Sequence, residues 1–77
     1  MKQKQKELTQ KELVTMVTSE GFESIFWQKL RLFRYDNPLI SRKDVFYVLN
    51  EAYEKHYKKP RYKSYDAFRM AMKRRNS

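Results

Sequence analysis

The chain has no cysteine, one glycine and one histidine, and each scarcity removes a class of function. Without cysteine there is no disulfide framework and no thiolate metal site. The core must then come from apolar packing alone or from association with another chain. One glycine cannot build a phosphate cradle, and no G-x-x-x-x-G-K-[ST] loop is present. A lone histidine leaves a metal site short of ligands. It also has no evident partner as a general base, because the nine acidic residues are scattered and no pair stands out as an acid/base dyad. No apolar run approaches the roughly 20 residues that span a bilayer, and the basic start over residues 1–6 is not followed by the apolar segment of a signal peptide. These absences lead to an expectation of a non-enzymatic, cytoplasmic protein with no cofactor, metal or membrane partner.

What is present suits a small helical domain. At 77 residues the chain makes one domain at most. Five Phe, six Tyr and one Trp supply the bulk of a core. Residues 1–7 read as a frayed polar start and residues 8–77 as a single domain. The pattern predicts an all-α bundle of four helices, at about 9–20, 22–35, 41–58 and 64–75. Thr9 with Glu12 and Ser41 with Asp44 form capping boxes, each flanked by a hydrophobic staple (Leu8 with Leu13, Ile40 with Val45). Gly21 sits where a left-handed C-cap would close the first helix. On a helical wheel Phe22, Ile25, Phe26, Leu30, Leu32 and Phe33 fill one core-facing arc. Val45, Val48, Leu49, Ala52, Tyr53 and His56 fill another, which makes His56 a packed histidine at the core edge.

The charge is concentrated at one end. Residues 58–77 contain Lys58, Lys59, Arg61, Lys63, Arg69, Lys73, Arg74 and Arg75 against Asp66 alone, out of a formal net charge of +9. Tyr62, Tyr65 and Phe68 lie among them. Clustered cations beside π-faces are the footprint of a nucleic-acid-binding protein. Cations set against phosphates release condensed counterions whatever the base sequence. Arg69 and Lys73 are i,i+4 neighbours and stand on one helix face. Lys58, Lys59, Arg61, Tyr62 and Lys63 form a connector that would clamp a backbone, with Tyr62 either stacking on a base or packing at the core edge. Cations in the last turn of the fourth helix also favour the negative end of its dipole. Duplex DNA is the first expected ligand, with RNA second.

The stretch Arg61-Tyr62-Lys63-Ser64-Tyr65-Asp66-Ala67-Phe68-Arg69 resembles an R-Y-x-S-Y-x-S-F-R pattern in short basic proteins of phages and mobile elements of gut Bacteroidetes. Ala67 replaces the second serine of that pattern. The resemblance covers about a quarter of the chain or less and implies a mobile-element accessory protein, with no site attached.

A second reading rests on Trp27, Arg31 and Arg34. Their i, i+4, i+7 spacing aligns them on the second helix away from its apolar arc. Trp and Arg are enriched among interface anchors, so this stripe would bind an acidic protein surface, as an inhibitor or adaptor does. Alternatively, Trp27 is simply packed under the first helix or the C-terminal tail. A small core with many aromatics also leaves a homodimer open.

Overall fold

A computed structural model describes residues 8–76, and these form four helices and no strand. Helix α1 spans Gln10–Thr15, α2 Ser19–Asp36, α3 Arg42–Tyr57 and α4 Tyr65–Asn76. The expected frayed segment, residues 1–7, lies outside the described residues. Among the described residues no helix is long and apolar enough to cross a membrane.

Helix α1 begins on its capping box. The Glu12 N–H donates to Thr9 Oγ1 at 3.1 Å, and the Thr9 N–H donates to Glu12 Oε1 at 3.0 Å. It ends at Thr15, well short of the expected residue 20, because a second cap intervenes. Thr18 Oγ1 accepts from the Gly21 N–H at 2.9 Å and starts α2 at Ser19. Gly21 therefore lies inside the first turn of α2, with no positive φ, and is not the left-handed C-cap of α1. Its role is close approach. A Cβ at this position would sit 1.8 Å from the Thr15 carbonyl oxygen, so only glycine lets the last turn of α1 meet the start of α2.

Helix α2 buries Phe22, Ile25, Phe26, Leu30 and Phe33. Leu32, expected in that arc, is 41% exposed, whereas Lys29, near the middle of the arc, is 6% exposed. The Lys29 stem packs along the core while its ammonium reaches the Glu12 carboxylate at 3.0 Å. Burial opposes the Glu12 charge. The Thr9 backbone N–H and the Lys29 ammonium outweigh it and hold the carboxyl below its ordinary value.

Ser41 caps α3, its Oγ accepting from the Asp44 N–H at 3.0 Å. The helix buries Val45, Phe46, Leu49 and Tyr53. Two residues depart from the expected face. His56 is exposed, its ring set edge-on to Tyr57 at 4.6 Å. Phe46, which the single-stripe reading left out, is fully buried. The reason is that α3 packs against α1, α2 and α4 together, so its apolar surface must be wider than one stripe. Phe46 meets Phe22 at 6.1 Å, Phe68 at 5.3 Å and Tyr65 at 5.5 Å between ring centroids. With Phe26, 4.9 Å from Phe68, these rings form an aromatic centre to which α4 is docked. Contacts of this kind add about 0.5–1.5 kcal/mol per pair beyond the area buried.

Helix α3 closes on Lys58, which adopts a left-handed conformation at φ 70° and donates its N–H to the Glu54 carbonyl at 2.7 Å. Residues 58–64 then run to α4, where Ser64 Oγ accepts from the Ala67 N–H at 3.1 Å.

Candidate nucleic-acid interface

The connector 58–64 is held by a residue that the sequence did not single out. Asn50, half-buried on α3, accepts from the backbone N–H groups of Arg61 and Tyr62 at 3.0 and 3.1 Å. Its amide donates to the Tyr62 carbonyl at 2.9 Å. Three bonds from one side chain pin the connector against α3 and turn two of its expected contact residues inward. Tyr62 packs edge-on to Phe22 at 5.2 Å and beside Phe68 at 5.3 Å, and its hydroxyl lies 3.4 Å from Ser19 Oγ. It belongs to the core edge. Arg61 is half-buried, with a guanidinium nitrogen donating to Ser19 Oγ at 3.2 Å and its plane 4.6 Å from the Tyr62 ring centroid. Both residues serve the fold, whereas Lys58, Lys59 and Lys63 are exposed.

On α4 the cations divide in a similar way. Arg75 is half-buried and paired with the Glu23 carboxylate of α2, which fastens the end of α4 to the bundle. Arg69, Lys73 and Arg74 are exposed, and Arg69 holds Asp66 at 3.2 Å. The Arg69 guanidinium also stands 6.0 Å from the Tyr65 ring centroid.

Arg69 and Lys73 line a groove of about 570 Å³ together with Trp27, Arg42, Tyr65 and Met72. The groove lies where α2, the first residue of α3 and α4 meet. Trp27 is 37% exposed, so it is neither fully packed under the tail nor free of it. Its indole N–H donates to Glu23 at 3.0 Å, and Phe26 supports it at 4.9 Å. The Arg42 guanidinium sits 5.5 Å from the Trp27 ring centroid, within cation–π range. Arg42 gave no signal in the sequence, because 15 positions separate it from Trp27 and only the packing of α3 on α2 joins them.

Trp27 also borders a second depression, of about 430 Å³, with Leu30, Arg31 and Arg34. The i, i+4, i+7 stripe is thus a real surface feature, although Arg34 is partly committed through a 3.4 Å bond to the Ile40 carbonyl. The two sets of residues that the sequence assigned to rival functions meet at one tryptophan. Among the described residues no group of three or more His, Asp or Glu side chains converges on a common point. Comparison of the chain with protein-family models, curated proteins and solved structures gave no match.

Proposed function

We propose that this chain is a small, non-catalytic nucleic-acid-binding protein, with DNA as the first polymer and RNA as the second. The observation that carries this reading is the exposure of Lys58, Lys59, Lys63, Arg69 and Lys73 on a fold that commits Arg61 and Arg75 to internal contacts. The exposed cations meet phosphates, and the connector and α4 position the protein on the backbone without reading bases. The resemblance around residues 61–69 supports an accessory role in a phage or mobile element.

The test is a fluorescence-anisotropy titration with labelled duplex DNA, single-stranded DNA and RNA at two salt concentrations. Binding should weaken with salt, with a slope of about 0.9 per duplex phosphate contact or about 0.7 per single-strand contact. The double variant Arg69→Ala/Lys73→Ala should bind more weakly and with a flatter slope. Salt-independent binding, or none at low salt, overturns the reading.

The depression around Leu30 favours one other function, docking of an acidic protein surface on Trp27, Arg31 and Arg34. Trp27 lines both depressions, so it cannot separate the two readings. Arg31 lines only the second. Arg31→Ala should leave nucleic-acid binding unchanged and impair a protein partner.

A further inference from the structure

Five exposed cations account for attraction to any polyanion, but they do not account for the groove. Its walls combine one partly exposed indole, the Tyr65 ring and the Met72 side chain with three cations, Arg42, Arg69 and Lys73. At about 570 Å³ it falls within the roughly 300–1,000 Å³ of pockets that enclose small organic ligands. Two carboxylates also line it, and both are engaged. Glu23 takes Arg75 and the Trp27 N–H, while Asp66 takes Arg69. The charge left over at the rim is positive, from Arg42 and Lys73. The indole is oriented by its bond to Glu23 and by Phe26 against it. A fixed aromatic plane costs little entropy to stack upon, and cations placed around it suit a planar base flanked by phosphates.

We infer that this groove seats an unpaired nucleobase, which displaces the Arg42 guanidinium from over the Trp27 ring and stacks there, with Arg42 and Lys73 holding the adjoining phosphates. The inference rests on the nucleic-acid reading above and deepens it by naming the form of the ligand. A base within a duplex has both faces covered by its neighbours and offers the groove nothing to stack on. A single strand exposes a π-face at every position, and base–aromatic stacking tolerates any sequence. Single-stranded nucleic acid should therefore bind more tightly than duplex of equal length, contrary to the first expectation from charge alone. Phosphate contacts from Lys58, Lys59 and Lys63 lie outside the groove and add to either form.

Trp27 is the only tryptophan in the chain, so its emission reports on this groove and on the depression it borders with Arg31. The abasic and poly-glutamate arms separate the two. The experiment titrates the intact protein with a short single-stranded oligonucleotide, an abasic oligonucleotide of the same length, the corresponding duplex and a poly-glutamate peptide, following both Trp27 emission and anisotropy of the labelled ligand. Saturable quenching by the base-bearing single strand, and far less by the other three, supports the inference. In parallel, Trp27→Ala should weaken single-strand binding about 5- to 150-fold and leave abasic binding unchanged, whereas Trp27→Phe should retain most of the affinity. Circular dichroism confirms that each variant is folded. The wild-type quenching does not depend on them.

Anisotropy that shows single-strand binding with no change in Trp27 emission overturns the groove while the nucleic-acid reading stands. Equal quenching by the abasic strand overturns base stacking. Equal quenching by poly-glutamate assigns Trp27 to an acidic protein surface instead and overturns the inference. Failure of every nucleic acid to bind in either readout overturns both the inference and the reading beneath it.

Discussion

The connector 58–64 and helix α4 are alike in composition, each mixing cations with aromatics, yet the fold uses them differently. The connector turns Arg61 and Tyr62 inward, where Asn50 holds their backbone and Ser19 receives their side chains. Helix α4 uses Phe68 as its buried anchor and Arg75 as its fastening. It leaves Arg69 and Lys73 on a groove shared with Trp27. A cation in the sequence is therefore not yet a cation at the surface. Which of the two it becomes depends on whether a polar group from another helix is within reach.

The comparison breaks most decisively at Asn50. Removing its side chain leaves the Arg61 and Tyr62 N–H groups without their acceptor, so Asn50→Ala should cost about 2–3 kcal/mol in urea unfolding. If the loss is below about 0.5 kcal/mol, within the range of ordinary surface substitutions, the connector is held by Tyr62 packing and not by the amide.

The next test sets two connector cations against each other. Arg61→Ala should destabilise by about 1–2 kcal/mol through its lost bond to Ser19 and its lost contact with Tyr62. Lys59→Ala should stay within about 0.5 kcal/mol of the parent. In the salt titration the ranking should reverse, with Lys59→Ala flattening the slope by up to about 0.9 and Arg61→Ala changing it little. The same ranking in both assays would place Arg61 and Lys59 in one role.

A smaller effect of opposite sign is expected at the head of the connector. Lys58 holds a left-handed conformation that favours glycine. Lys58→Gly should raise stability by about 0.5–1 kcal/mol, the relief of strain exceeding the added freedom of the unfolded chain. A fall in thermal midpoint would show that the Lys58 side chain makes up for its backbone.

The smallest effect lies at the α1–α2 contact, outside both regions, and measures how far their behaviour is their own. The folded Glu12 carboxyl is held below its ordinary value. Its contribution to stability is thus fully present above the ordinary glutamate value and is lost as pH falls through the lowered one. The thermal midpoint of the parent should approach that of Glu12→Gln as the solution is acidified over that window. A gap that stays constant would mean that the Lys29 contact does not depend on the Glu12 charge.

The starts of α1, α3 and α4 were legible because their signals are local, whereas the Thr18 cap that starts α2 was hidden inside the apparent run of the first helix. Thr9, Ser41 and Ser64 each accept an N–H three residues on, and that geometry needs no other part of the chain. The groove was legible only in pieces. Trp27 and Arg69 were both marked, but as members of different sites, and Arg42 and Asn50 were not marked at all. Composition does not say which distant residues will touch.

By itself the sequence determined the all-α class, the caps at Thr9, Ser41 and Ser64 and the concentration of positive charge, since these follow from hydrogen bonds spanning three or four positions and from counting. Only the tertiary structure decided that Gly21 serves close approach and not a left-handed turn, that Phe46 is buried and His56 is not, and that Arg61 and Arg75 bind the fold while Arg42 joins Trp27. Each of these is a choice between water and a neighbour brought from elsewhere in the chain, and that neighbour exists only once the helices have packed.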